Sequence, residues 1–193
     1  MTKFWSEPFF HFFPDADRDF YYTLSDDGRL AAKYEDWQKD KMRISTERLH
    51  IRPFQQSDLH SLYQLLSDAD VMQYLEPPFS EKRTAVFLDE AALCDNPLIY
   101  AVDDNNGNFV GYVIYHAYDE MAYEIGWVLG KEHWGKGYAD ELTQALIADA
   151  KDRTKSLVIE CSPEQSATKK IALRNGFAYE GNVDGCEVYR RKI

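Results

Sequence analysis

Hydrophobic and polar positions from residue 41 onward alternate between a spacing of two, which predicts strands, and a spacing of three to four, which predicts helices. The pattern predicts strands over 46–52, 98–102, 109–116, 123–129, 157–161, 177–183 and 186–191. It predicts helices over 58–67, 80–94, 137–151 and 164–174. Strands joined by hairpins come first and helix crossovers come later. This order implies an α/β fold with one mixed sheet covered by helices.

Residues 1–40 differ from the rest of the chain, since they hold 11 of its 28 aromatic residues. Two strand-like runs, 20–24 and 29–34, flank an Asp-Gly pair at 27–28, which is a hairpin signal. Forty residues bury too little apolar surface to fold alone. We therefore divide the chain into an N-terminal extension (1–40) with a β-hairpin and a main domain (41–193). We expect the extension to pack on the main domain or on a second copy of the chain, as in a homodimer.

The chain of 193 residues is acidic, with 33 Asp and Glu against 22 Lys and Arg and a formal net charge of −11. This sign disfavours nucleic acid as a partner. An acidic surface attracts a cationic ligand such as an amine, but the same net charge is also common simply because it keeps a protein soluble. No run of 18 apolar residues is present to span a membrane, and the N-terminus lacks a signal-peptide pattern. We therefore expect a cytoplasmic protein with no membrane partner.

The cysteines and histidines predict neither a disulfide framework nor a metal site. Cys94, Cys161 and Cys186 are an odd and widely spaced set, which favours reduced thiols. The five histidines, at 11, 50, 60, 116 and 133, show no metal-ligand spacing.

The stretch richest in chemical information follows the strand predicted over 123–129. Residues 134–139 read Trp-Gly-Lys-Gly-Tyr-Ala and open a helix. Small residues there let a ligand approach the backbone, and free N–H groups at a helix N-terminus suit a phosphate or pyrophosphate. A glycine pair is also common in plain turns. The stretch is not a P-loop, because Lys136 is not followed by Ser or Thr, nor a dinucleotide fingerprint, because Asp140 stands where the third glycine belongs.

With its neighbours, this stretch resembles the GNAT superfamily of acetyl-CoA-dependent N-acetyltransferases, particularly the branch that contains ribosomal-protein N-terminal acetyltransferases. The resemblance covers about residues 43–193. It depends on four pieces in the family's order: Thr-Glu-Arg-Leu-His-Ile-Arg-Pro at 46–53, Glu-Ile-Gly-Trp at 124–127, the stretch at 134–139, and Ala-Leu-Arg-Asn-Gly-Phe at 172–177. It implies the GNAT fold, with a mostly antiparallel central sheet flanked by helices.

The resemblance implies that acetyl-CoA is the cosubstrate, and the spacing of the cysteines and histidines predicts that no metal takes part. In the family, the loop has the form Gln/Arg-x-x-Gly-x-Gly/Ala and binds pyrophosphate, so Trp134 departs from its first position. The preceding strand pairs through its backbone with the pantetheine arm, and an N–H there polarises the thioester carbonyl. The implied cofactor-binding residues are Trp127, Val128, Leu129, Trp134, Gly135, Lys136, Gly137, Tyr138, Ala139, Asp140 and Gln165.

Two glutamates are candidates for the general base, because the amine must lose a proton before its lone pair can attack the thioester. Glu160 ends the apolar run 157–159, and it resembles the general base of related N-terminal acetyltransferases. Glu124, at the start of the thioester strand, is the competing base. Each has a structural alternative: Glu160 paired with a lysine or arginine, and Glu124 bonded to side chains of the neighbouring strand.

Gln165 and Thr168 fall where the family usually has Asn and Ser, whose side chains contact CoA or protonate the leaving thiolate. Thr168 is therefore the candidate acid, with a plain helix-surface threonine as the alternative. Gln165 also fits a capping box, in which Ser162 caps the helix and Pro163 is its first residue.

The tyrosine that often serves the family as an acid falls at Ala172 and is absent. The thiolate is then protonated by Thr168, by water, or by no dedicated group. Cys161 beside Glu160 suggests a covalent acetyl-cysteine route. Direct transfer is favoured, because no histidine is visibly positioned to activate that thiol.

Together, the residues and the resemblance predict an enzyme that transfers an acetyl group from acetyl-CoA to a primary amine by direct attack in a ternary complex. The acceptor, a small molecule or a protein N-terminus, is expected to enter near Glu124 and Glu160. One alternative is a GNAT-like module that binds or senses acyl-CoA without turnover. A second is an interaction protein whose working surface is the N-terminal extension.

Overall fold

The computed structural model describes residues 42–193, which form one eight-stranded sheet. The hairpin predicted in the N-terminal extension lies outside the described residues. The strands are β1 (Ile44–Ser45), β2 (Leu49–Arg52), β3 (Ile99–Asp104), β4 (Phe109–Asp119), β5 (Ala122–Leu129), β6 (Ser156–Cys161), β7 (Ala178–Val183) and β8 (Cys186–Lys192). Their order across the sheet is β1-β2-β3-β4-β5-β6-β8-β7. Within this sheet the β5–β6 pair is parallel and the other neighbours are antiparallel, which confirms the mixed, mostly antiparallel fold.

Within the described part of the chain, four α-helices cover the sheet: α1 (Leu59–Leu66), α2 (Glu81–Ala91), α3 (Tyr138–Ala150) and α4 (Ser166–Arg174). The cap predicted for α2 is confirmed, since the Ser80 hydroxyl accepts a hydrogen bond from the N–H of Arg83 at 3.3 Å.

Two sequence predictions about element boundaries are wrong. The strand predicted over 46–52 begins only at Leu49, as β2, because residues 46–48 form a bend; a separate two-residue strand, β1, precedes that bend. Helix α4 begins at Ser166 rather than Glu164, so Ser162 and Pro163 belong to a preceding turn. That turn is closed by the N–H of Gln165, which donates to the carbonyl of Ser162 at 2.9 Å.

Apolar side chains pack on both faces of the sheet. Helix α3 directs Leu142 and Leu146 against one face, where they meet Ile125 of β5 and Leu157 of β6. Helices α1 and α2 cover the other face, with Leu62 and Leu88 among the fully buried residues. We call the first face the α3 face and the second the α1–α2 face. Strand β5 serves both cores because its side chains alternate between the two faces.

Strands β5 and β6 separate partway along their length. They pair at Ala122–Ser156, Tyr123–Leu157 and Glu124–Val158, and the register ends there. Beyond Glu124, the edge of β5 that faces β6 has no strand partner among the described residues. The sheet therefore contains a cleft between residues 125–129 and 159–161.

Candidate active site

The loop after β5 leads into the N-terminus of α3. A 3-10 turn at Lys131–His133 leads to residues 134–137, and α3 starts at Tyr138. Gly135 has φ of 71° and Gly137, the N-cap, has φ of 80°, a left-handed conformation that favours glycine. No described residue accepts a hydrogen bond from the amides of residues 135–137, and the first three N–H groups of α3 have no partner within the helix. Free amides at a helix N-terminus are the kind of group that can bind an anion.

Arg48 braces this loop from the side of β2. Its Nε donates to the Glu141 carboxylate at 2.7 Å, and its Nη1 donates to the carbonyl of Lys136 at 2.9 Å. The guanidinium also lies 4.8 Å from the centre of the Tyr138 ring. The Thr46 hydroxyl donates to Glu141 as well, at 2.5 Å. The motif at 46–53 therefore holds the first turn of α3 in place through Thr46 and Arg48.

Trp134 ties the loop to the end of β5. Its indole N–H donates to the carbonyl of Leu129 at 2.8 Å, while half of the residue stays exposed. The His133 ring stacks on Tyr138. The indole thus anchors the loop at the position where the family's pattern has Gln or Arg.

The strand expected to meet pantetheine offers its backbone to the cleft. Val128 and Leu129 are buried in opposite cores, and Trp127 packs against the core of the α3 face. Because these side chains are occupied by packing, the groups of β5 left for a ligand are the N–H and C=O groups of its open edge.

Helix α4 places its two predicted site residues differently. The Gln165 side-chain oxygen accepts a hydrogen bond from the N–H of Ser162 at 2.8 Å. This is the bond expected of Gln165 in a capping box, but it spans the turn before α4 and not the first turn of the helix. Thr168 is half-buried on the first turn of α4, and its hydroxyl has no hydrogen-bond partner in the described part of the chain. The structure thus commits Gln165 to the backbone and leaves Thr168 available.

Basic residues near the loop are partly occupied. Lys169 donates to the carbonyl of Pro163 at 2.6 Å and pairs with Glu187, and Arg174 pairs with Asp140 at 3.0 Å. Asp140 also accepts a hydrogen bond from Asn175, so it joins the start of α3 to the end of α4. The side chain of Asp140 is therefore structural, whereas its N–H remains part of the helix N-terminus.

Glu160 lies on β6 with its side chain on the α1–α2 face, beyond the helices that cover that face. Its carboxylate accepts a hydrogen bond from the Tyr118 hydroxyl at 2.5 Å. Burial raises the pKa of Glu160 above its ordinary value, and the negative charges of Glu124 and Asp184 act in the same direction, while the Tyr118 hydrogen bond opposes them. A carboxylate with a raised pKa is a stronger proton acceptor for an amine.

Glu124 lies opposite His116 in the β4–β5 ladder, and the Nε2 of His116 is 3.3 Å from its carboxylate. Both side chains are largely buried, with 14% of His116 and 17% of Glu124 exposed. Glu124 is therefore paired with its strand neighbour, which was the structural alternative to a catalytic part.

Three residues of this site were missed in the sequence: Arg48, His116 and Tyr118. Tyr118 sits at a bulge in β4, where the register moves from Ala117–Tyr123 to Asp119–Ala122, and the bulge redirects its side chain. The predicted strand ended at residue 116, so no sequence signal placed Tyr118 beside Glu160.

Both cysteines near the site are poor nucleophiles. Burial raises the pKa of Cys161 to about 11 and that of Cys186 to about 12, with nearby carboxylates adding to the effect. All three described cysteines are free thiols. The raised pKa values disfavour an acetyl-cysteine intermediate, because the thiolate is the reactive form.

Comparisons with known proteins agree with this geometry. The family described as acetyltransferase (GNAT) domain matches residues 48–178. An uncharacterized N-acetyltransferase, YnaD of Bacillus subtilis, is 31% identical over 153 residues, which are 75% of this chain and 88% of that protein. A GNAT-family acetyltransferase structure from Bacillus anthracis superposes with a TM-score of 0.70 at 27% identity, covering 79% of this chain and 98% of that one.

A ribosomal L7/L12 alpha-N-protein acetyltransferase, RimL, solved in complex with coenzyme A, has the same fold. Its TM-score is 0.67 at 23% identity, over 79% of this chain and 98% of that one.

Within residues 42–193, no helix is long and apolar enough to cross a membrane.

Proposed function

This chain belongs to the GNAT family of acetyltransferases, and we propose that it joins acetyl-CoA and a primary amine in one ternary complex in which Glu160 accepts the proton of the amine. The cleft between β5 and β6 takes the pantetheine arm, and the helix N-terminus after the glycine loop takes the pyrophosphate. The observation that carries the proposal is the early end of the β5–β6 register directly beside that open helix N-terminus.

Residues 134–140 bind the pyrophosphate mainly through backbone amides. Two left-handed glycines leave those amides without other partners in the described structure, and the loop surface at 134–137 is exposed. The partial positive charge of the α3 N-terminus adds to the attraction. The open edge of β5 at Trp127, Val128 and Leu129 pairs with the amide groups of pantetheine as an added strand would.

The acceptor amine enters from the α1–α2 face, where Glu160 and Glu124 lie. Glu160 takes one proton from the substrate ammonium, and the neutral nitrogen then attacks the thioester carbonyl. The C–N bond forms, the C–S bond breaks, and coenzyme A leaves as a thiolate. The thiolate is protonated by Thr168 or by water, and the amide nitrogen loses its second proton to solvent.

Glu160 is favoured over Glu124 because of what each carboxylate contacts. Glu124 faces His116 across the ladder, so its charge is compensated within the protein. Glu160 accepts from a neutral phenol, and no cation lies within ion-pair distance of it among the described residues. The acidic character of this face also favours a cationic acceptor, such as a small-molecule amine or a protein N-terminus.

The test compares Glu160→Gln with Glu120→Gln, a matched change at an exposed glutamate in the β4–β5 turn. The assay follows thiol release from acetyl-CoA with spermidine, glucosamine and a short peptide with a free N-terminus. We expect Glu160→Gln to lower kcat/KM by about 10²- to 10⁴-fold at neutral pH. Because an already neutral amine needs no base, the deficit should shrink as the pH approaches the pKa of the amine itself.

Calorimetry with coenzyme A separates binding from chemistry. Both variants should keep the wild-type affinity, since Glu160 accepts a proton and does not hold the cofactor. Wild-type kcat/KM in Glu160→Gln across the whole pH range would overturn the assignment of the base. If the wild type binds CoA tightly but releases thiol with none of the three amine classes, the result would support a binding module instead.

A further inference from the structure

His116 faces a hydrogen-bond acceptor on each ring nitrogen. Its Nδ1 lies 2.8 Å from the carbonyl oxygen of Ala117, and its Nε2 lies 3.3 Å from the Glu124 carboxylate. A carbonyl oxygen only accepts, so Nδ1 must carry a hydrogen. A neutral imidazole would then turn the lone pair of Nε2 toward a carboxylate oxygen, which is repulsive. The geometry therefore requires an additional proton on the pair.

On Glu124 that proton would give a neutral pair; on His116 it gives an imidazolium and a carboxylate, and the raised pKa of His116 favours this second form. Burial alone lowers the pKa of His116, but the hydrogen bond to Glu124, the charge of Glu124 and the carbonyl of Ala117 outweigh it and leave the pKa above the ordinary value. Two largely buried groups of opposite charge thus satisfy each other within the sheet.

Other ionisable groups surround the pair and Glu160. Glu124 interacts electrostatically with Tyr118 on β4, Glu160 on β6 and Cys186 on β8. Asp184 in the β7–β8 turn acts on Glu160, and Arg190 on β8 acts on Tyr118. Arg190 is engaged by Asp119 and Glu180, and Tyr118 by Glu160. Glu124 and Glu160 therefore act on each other as like charges unless His116 carries its proton.

We infer that His116 is a positioning residue whose imidazolium neutralises Glu124 and so leaves Glu160 as the carboxylate that takes the proton of the amine. This inference rests on the proposed function. It means that a residue on β4 determines which carboxylate acts as the base, although β4 lies one strand away from the cofactor cleft. Without His116, the charge of Glu124 would be uncompensated. That charge would raise the pKa of Glu160, so Glu160 would hold its proton more tightly.

The protonation of His116 is testable without any acceptor. In the full chain labelled with ¹⁵N-histidine, NMR should show both ring nitrogens of His116 protonated at pH 7, with titration above the ordinary value of 6.5. The exposed His60 provides a second histidine signal in the same spectra for comparison. In Glu124→Gln the imidazolium loses its partner, so His116 should become neutral at pH 7. A neutral His116 in the wild type would overturn the inference.

The kinetic test uses the pH profile of kcat/KM with the most active amine of the panel. In His116→Gln, which can still donate to Glu124 but carries no charge, the acid limb assigned to Glu160 should move to higher pH by on the order of one unit. In the double variant His116→Gln/Glu124→Gln, both charges are absent and the limb should return to its wild-type position. A merely structural role would lower activity in both variants without moving the limb.

The two proposals fail in different ways. If Glu160→Gln keeps full activity, the base assignment fails while the NMR result on His116 still stands. If Glu160→Gln is inactive but His116→Gln leaves the acid limb unmoved, the inference about His116 fails and the proposed function remains.

Discussion

Replacing Arg48 with alanine removes the side chain that joins β2 to the first turn of α3. The guanidinium makes an ion pair with Glu141, a hydrogen bond to the carbonyl of Lys136 and a cation–π contact with Tyr138. All three contacts bear on the loop that we expect to hold the pyrophosphate. We therefore expect Arg48→Ala to weaken both the fold and CoA binding.

The size of the effect follows from how exposed these contacts are. The Arg48 side chain is 43% exposed, so its ion pair contributes at most about 1 kcal/mol. The hydrogen bond to a carbonyl contributes about 1 kcal/mol and the cation–π contact about 0.5–1 kcal/mol. These contacts share one side chain and do not simply add, so we expect a loss of about 1–2 kcal/mol in the free energy of unfolding. For a domain of this size, that loss lowers Tm by about 3–6 °C.

CoA affinity is the more specific measurement. If roughly half of the lost energy had kept the loop in its binding conformation, Kd for coenzyme A rises about 2- to 5-fold. Calorimetry with coenzyme A gives Kd, and thermal unfolding gives Tm. Arg43→Ala is the matched control, since Arg43 is an exposed arginine five residues earlier, and it should change neither quantity.

Two results would contradict this prediction in whole or in part. If Arg48→Ala lowers Tm as expected but binds coenzyme A as tightly as the wild type, the contacts of Arg48 stabilise the fold and do not contribute to cofactor binding. If neither quantity changes, the contacts of Arg48 contribute nothing measurable and the reasoning is refuted.

Two further predictions concern the loop and the core. Gly137→Ala forces a side chain into left-handed backbone and should destabilise the protein by about 1–2 kcal/mol and weaken CoA binding. Gly107→Ala, at the same φ in the β3–β4 hairpin, should reduce Tm alike with unchanged Kd. Leu146→Ala, fully buried under α3, should lower the free energy of unfolding in urea by about 2–5 kcal/mol, whereas exposed Leu173→Ala should stay within about 0.5 kcal/mol. Equal changes in Kd for the two glycine variants would contradict the loop argument, and equal losses of stability for the two leucine variants would contradict the burial argument.

Local pattern was enough where neighbours in sequence decide the structure. The apolar spacing of Leu142 and Leu146 predicts α3, and the alternation along 123–129 predicts β5, because burial on one face repeats with the period of the element. The turn at 162–165 was harder, since Ser-Pro-Glu-Gln fits the start of a helix and a β-turn equally well. Strand β1 was missed because two residues are too few to show a period.

The sequence by itself determined the order of strands and helices, the glycine loop before α3 and the pair of candidate glutamates. Only the tertiary structure decided how those glutamates differ, because that depends on groups brought together from other strands. His116 meets Glu124 through the β4–β5 register, and Tyr118 reaches Glu160 through a bulge. Arg48 reaches Glu141 from 93 residues away in the chain. Charges and hydrogen bonds act through space, so contacts of this kind leave no local pattern in the chain.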